Sequence, residues 1–201
     1  MSFGEEERAQ IRQELLRAGE KSFARMGLKR TRVEDLTADA GIAKGSFYAF
    51  FPSKEALCFA VLEEEERRRD SLFGENLLRV ASAEELEAVL QQAFDAFEES
   101  AVAMRLYELE EFPALLRKIP KDAVQRHQRH DRERMERLLA HLPDESRIAE
   151  QDPDVVSGLF RALFMLGLER GAIGEAVFPQ VRSLLIRSIA RELWGTNATE
   201  R

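Results

Sequence analysis

One stretch, TRVEDLTADAGIAKGSFYAFFPSK at residues 31–54, constrains the fold more than any other. Thr31 and Glu34 form a T-x-x-E capping box, in which hydroxyl and carboxylate each satisfy an orphan backbone donor at a helix start. Val33, Leu36 and Ala40 then recur at helical spacing. Gly41 supplies the positive φ that lets the chain leave that helix sharply. Ile42 is an apolar plug, and Lys44 to Phe50 reads as a second helix. Its Phe47, Phe50 and Phe51 turn inward, while Lys44, Ser46, Tyr48 and Ala49 face out. Two short helices about a tight turn match the helix-turn-helix, whose second helix enters the DNA major groove by its N-terminal end.

Within that stretch, AGIAKGSFYAFFPSKEAL (residues 40–57) resembles the DNA-binding signature of TetR-type transcriptional regulators. The carriers are a Gly-Ser/Thr-hydrophobic-Tyr core, then an aromatic residue and a Lys. The likeness is specific over residues 10–62; the remainder matches in length and helical character only. It implies that Thr31, Tyr48 and Lys54 grip phosphates, and that Lys44, Gly45, Ser46 and Ala49 approach bases, with Arg32 in the same set. Ala43 stands where the family usually has Ser or Thr, so the recognition helix lacks its customary side-chain cap. Ala49 replaces the larger polar side chain of many members.

The charge distribution suits that reading. Between residues 21 and 54, seven basic residues stand against three acidic ones, although the 201-residue chain has a net charge of −7. A local basic face on an acidic body is what phosphate binding needs. β-Branched runs between turn signals are missing, so no sheet is expected. No apolar run approaches the ~18 residues of a membrane span. The acidic start MSFGEEERAQ does not read as a signal peptide. Cys58 is the single cysteine, which fits a reducing cytoplasm.

The chain reads as all-α, with about nine helices in two domains. Residues 1–52 form a three-helix DNA-binding domain, and residues 53–201 an effector-binding and dimerisation domain with helix 4 as connector. Helix 1 spans 5–26 with Gly27 as its cap. Helix 4 starts near Ser53 and carries EEEERRRD, whose i,i+4 Glu–Arg pairs make a solvated, self-supported face worth ~0.2–0.5 kcal/mol per pair. Ser82 and Glu85 form a second capping box opening helix 5. A short piece, 103–111, is broken by Pro113. Pro120 opens helix 7, which Pro143 ends. Asp152 and Pro153 start helix 8, through Gly171. Helix 9 runs from about Glu175 to Trp194, with Pro179 in its first turn or marking a late start, and Gly195 as its stop.

Helices 8 and 9 are apolar on more than one face, the signature of deep burial or an interface. By resemblance they pair with a second subunit through Val155, Leu159, Ala162, Leu163, Leu166, Val181, Leu184, Leu185 and Ile189. On helix 7, His127 and Asp131 interrupt the apolar stripe. Three accounts stay open: a mutual His–Asp hydrogen bond, polar groups of an effector cavity, or a metal site of His127 with Asp131 or His130 and a carboxylate such as Glu108. Phe94, Phe97, Met104, Tyr107, Phe112 and Phe164 would wall the cavity, with Glu108 at its edge. Three His, one Cys and no phosphate loop or nucleophile elbow offer no catalytic constellation, and no cofactor is expected. The function expected is a homodimeric, cytoplasmic repressor released from a palindromic double-stranded DNA operator by a small, largely apolar effector. The alternatives are a metal-responsive regulator and a helical protein–protein adaptor.

Overall fold

The structure is a computed structural model describing residues 4–142 and 147–195, with residues 70–73 and 149 described by backbone only. Helices and turns account for the described residues, and none of these residues lies in a strand. The helices are α1 Glu5–Arg30, α2 Val33–Asp39, a 3-10 helix Lys44–Ala49, α3 Lys54–Leu77, α4 Ala83–Glu98, α5 Ala101–Glu108 and α6 Phe112–Lys118. After them come α7 Lys121–Leu139, a second 3-10 helix Arg147–Glu150, α8 Pro153–Leu168, α9 Arg170–Ile173 and α10 Phe178–Trp194. Two compact units emerge. The first comprises Met1–Arg67 with Glu99–Val124, and the second Arg68–Glu98 with Gln125–Arg201.

The first unit closes around Leu15, Phe23, Leu36, Phe47, Phe51 and Leu57, joined by Val102, Leu106 and Leu115 from α5 and α6. Removing each such side chain from water contributes about 1.5–3 kcal/mol, so the helix-turn-helix is clamped by α1 beneath it and by α5 and α6 behind. α1 opens on Glu5, Glu6 and Glu7 and closes on Lys29 and Arg30, charges that oppose the helix dipole at both ends. Gly27 is not a terminus but a break within α1, at φ 77° and ψ 179°, and a last turn continues to Arg30.

The T-x-x-E box does not form. Arg32, not Thr31, is the N-cap of α2 and contributes no side-chain cap. The Thr31 hydroxyl donates backwards to the Gly27 carbonyl at 2.7 Å, because the break at Gly27 leaves that oxygen without a helical partner. The turn after α2 follows expectation, with Gly41 at φ 68°. The recognition segment is a 3-10 helix rather than an α-helix. Ala43 offers no cap, and the first turn tightens into an i→i+3 bond from the Ser46 N–H to the Ala43 carbonyl, 2.9 Å.

α3 starts where Ser53 Oγ accepts from the Ala56 N–H at 3.0 Å. Its acidic run is only partly a solvated face: Arg67 meets Glu64 one turn back, but Glu65 is buried and accepts from the Ser100 hydroxyl. Ser100 in turn caps α5, accepting from the Ala103 N–H at 3.0 Å. Pro113 opens α6 instead of merely ending a helix, since proline's missing N–H is harmless in a first turn.

The second unit is built around Leu77, Leu86, Phe94, Met135, Leu139, Val156, Phe178 and Ile186, with α10 against α4 and α8 beside them. The Ser82 Oγ accepts from the Glu85 N–H at 3.2 Å, and the Glu85 carboxylate reaches the Ala81 N–H at 2.7 Å, so the second capping box forms with its return bond one residue early. Asp152 caps α8 through the Asp154 N–H at 2.8 Å. α8 stops at Leu168, short of Gly171, and α9 follows. Pro179 lies in the first turn of α10, and Gly195 ends it at φ 67°. The termination assigned to Pro143, like Met1–Phe3 of the N-terminus, lies outside the described residues.

Candidate nucleic-acid interface and effector site

Short side chains and a cation line the outer face of the recognition segment. Tyr48 is 58 % exposed, standing edge-on to the buried Phe47 ring at 5.4 Å. Lys44, Gly45 and Ala49 are exposed, Ser46 is half-buried, and Arg32 is exposed at the start of α2. Lys44 is paired with Glu34 of α2 at 2.5 Å. Their bond holds the Glu34 carboxyl below its usual range and the Lys44 ammonium above its own. Both are exposed, so the pair is a swing-out contact a phosphate can replace, not a source of stability. The Arg8 guanidinium donates to the Ala49 carbonyl at 3.2 Å and sits over the Phe50 ring, and Arg12 sits over Phe51. α1 thereby fixes the far end of the segment.

Two residues assigned to phosphate have other work. Thr31 is 1 % exposed, its hydroxyl spent on Gly27, so it presents no side chain at the surface. Lys54 donates to the carbonyls of Leu28, Lys29 and Thr31 at 2.7, 3.1 and 2.9 Å. A cation on the last carbonyls of a helix is a C-terminal cap; here it ties the start of α3 to the end of α1. Glu111 makes the opposite tie. Buried just before α6, it accepts from the Leu28 N–H at 2.5 Å and the Lys29 N–H at 3.2 Å. A Cβ at Gly27 would stand 2.4 Å from Leu109 Cδ1 and 2.8 Å from Glu111 Oε2, so the α5–α6 corner seats into the break in α1. Nothing local announces either tie; the weak signal was an acidic residue just before a Phe-Pro helix start.

In the second unit, the His127–Asp131 hydrogen bond is not made: Nε2 and Oδ2 are 3.6 Å apart, beyond bonding reach. Asp131 is held by Arg161 of α8, which donates to Oδ2 at 3.2 Å, with Arg134 3.5 Å from Oδ1. Sequence reading passed over Arg161, although one Arg inside the apolar run of α8 signals a buried acidic partner. His127 and Asp131 keep potential ligand atoms within 4.8 Å of one another beside the two guanidiniums, and His130 is exposed. Among the aromatic candidates, Phe164 lies 5.1 Å from Phe97 and 6.2 Å from the buried Phe94. Met104, Tyr107, Glu108 and Phe112 belong to the first unit. Glu108 there is exposed and paired with Arg105 at 2.9 Å.

Residues 15–61 match the family described as "Bacterial regulatory proteins, tetR family". The chain is similar to the HTH-type transcriptional repressor KstR2 of Mycolicibacterium smegmatis, 36 % identical over 104 residues, which are 50 % of this chain and 49 % of that one. A crystal structure of a TetR-family transcriptional regulator from Pectobacterium atrosepticum superimposes with a TM-score of 0.70 at 23 % identity, covering 96 % of this chain and 99 % of that chain. Residues 15–61 thus carry the DNA-binding segment of the tetR family. The chain spans about half the length of the curated relatives it matches, while the fold match extends over nearly all of it.

In this chain the helices assigned to pairing keep an apolar outer face. Val155 and Met165 of α8 and Leu184 of α10 are exposed, Leu184 by 60 %. Ala162 is exposed, and Leu159, Leu166, Val181, Leu185 and Ile189 are half-buried. Leu163 differs: it is buried within the unit's own core and is not available to a second copy. No helix among the described residues is long and apolar enough to cross a membrane.

Proposed function

We propose that this protein is a homodimeric, cytoplasmic transcriptional repressor, not an enzyme, whose recognition segment reads a near-palindromic operator. The observation that carries the proposal is the outward face of Lys44–Ala49, held at its far end by α1 and lying inside the matched family segment. Lys44, Gly45, Ser46 and Ala49 approach bases, and Tyr48 and Arg32 contact phosphates. Lys54 acts by positioning. The functional division falls at residues 52/53, with DNA reading before it and effector binding and pairing after it. Pairing through α8 and α10 sets two heads about one helical turn, ~34–36 Å, or a multiple apart. A small, largely apolar effector weakens operator binding by preferring the arrangement in which both heads no longer fit.

Fluorescence anisotropy with duplexes from the gene's own promoter region tests this. The expected result is tight binding to one palindrome over random DNA, lost in a Lys44→Ala/Tyr48→Ala double variant that melts like the wild type. Unchanged affinity in that variant defeats the site assignment. Salt-sensitive binding without sequence preference favours a protein–protein adaptor instead.

A further inference from the structure

Asp131 and Ser157 are 4 % and 5 % exposed, yet Asp131 Oδ1 and Ser157 Oγ have no hydrogen-bond partner. Buried polar atoms are nearly always bonded, and each exception asks for a reason. The charge of Asp131 is already answered, by Arg161 Nη1 at 3.2 Å from Oδ2 and Arg134 Nη2 at 3.5 Å from Oδ1. What Oδ1 lacks is a donor, not a cation. Ser157 and Arg161 are one turn apart on α8 and Phe164 follows three residues later, so the three share one face spanning ~10 Å of helix. Phe164 and Phe97 are only half-buried although their rings meet at 5.1 Å. One face therefore carries an unfilled acceptor at one end and incompletely covered aromatic rings at the other.

We propose that this face of α8 binds an aromatic alcohol, whose hydroxyl donates to Asp131 Oδ1 and whose ring lies against Phe164 and Phe97. Ser157 Oγ, one turn along, receives a second polar substituent. A carboxylate guest has no hydrogen to donate to Asp131 Oδ1, and a pure hydrocarbon would leave both buried atoms unbonded. This assignment rests on the reading of the chain as an effector-responsive regulator and names the class of effector.

Calorimetric titration of the full-length protein without DNA, using 2-naphthol, 2-methoxynaphthalene and 2-naphthoate, tests it. 2-Naphthol is expected to bind about 10- to 100-fold tighter than its methyl ether, the range for a hydrogen bond to a charged group. Asp131→Asn, checked by its melting curve, should shrink that gap to about threefold or less. Should that variant fail to fold, Phe164→Ala should weaken 2-naphthol about tenfold and keep its preference over the ether. Equal binding of alcohol and ether to the wild type, tightest binding of the naphthoate, or binding of none of the three overturns the inference. Operator binding on the same preparation separates the two proposals. Sequence-specific DNA binding with failed probes removes only the aromatic alcohol, whereas 2-naphthol binding with no duplex preference removes only the regulator.

Discussion

The two compact units treat their buried hydroxyls and carboxylates differently, although each also buries an unbonded arginine Nε, Arg105 in the first and Arg170 and Arg182 in the second. In the first, Thr31, Glu65, Ser100 and Glu111 each spend their polar atoms on a named neighbour, and Lys54 closes three carbonyls at once. In the second, Asp131 Oδ1 and Ser157 Oγ stay unbonded. Satisfied networks fix a unique arrangement, while unsatisfied ones are costly until something fills them. The first unit's named side chains are locked in place, whereas the second holds unspent bonding capacity.

Two glycines test this difference most severely. Gly27 has a backbone conformation nearly closed to other residues and faces the α5–α6 corner, so Gly27→Ala is expected to cost about 3 kcal/mol or more. Gly167 of the second unit has ordinary φ but would set a Cβ 2.6 Å from the Phe94 ring. Gly167→Ala is expected to cost about 1–3 kcal/mol as the ring shifts. Urea unfolding of both variants decides the order, and a reversed order breaks the comparison. Glu111→Ala comes next. It strands the Leu28 and Lys29 N–H groups and is expected to cost about 2–3 kcal/mol, while the exposed Glu108→Ala stays within about 0.5 kcal/mol. Equal losses would show that the tie to α1 carries no special weight.

Smaller effects sharpen the picture through pH and reactivity. Burial pushes the Glu55 carboxyl up, but its bond to Lys118 at 3.0 Å, a backbone bond and the charges of Lys118 and Lys54 outweigh that, and the net shift is downward. The stability Glu55 adds is therefore full above the ordinary carboxylate value of 4.5 and is lost as pH falls through the lower folded value. Lys118→Ala should flatten this acid limb by a few tenths to about 1 kcal/mol, since the lysine is largely exposed; melting curves taken from pH 6 downward, in the range of about 3–6, measure it. Cys58 is buried, and its thiol is pushed up by that burial and by Glu111, Glu55 and Glu65 nearby. A thiol-labelling assay at about pH 8 should find it unreactive until the first unit unfolds; rapid labelling of native protein would mean that this core opens readily.

What the sequence made legible was local. Gly41, Gly195, the Ser82–Glu85 box and the Asp152–Pro153 start each depend on a few neighbouring residues, and each appears where spacing places it. The signature around Tyr48 likewise marked the face that stays exposed. Thr31 misled because a capping box assumes that no better acceptor is near, and the break at Gly27 supplies one. Lys54 and Glu111 were illegible in their true roles because their partners lie 23–26 and 82–83 residues away. Asp131 was singled out correctly as a polar intruder, but its partner Arg161 sits 30 residues on, hidden in an apolar run.

The seat of the α5–α6 corner in α1 bears on how the first unit can be recombined with other domains. A chimera that transplants residues 1–52 alone onto a foreign partner domain leaves behind Lys54 and Glu111, and with them two fasteners of the grafted part. The exchangeable module is discontinuous: residues 1–67 travel intact only in company with residues 99–124.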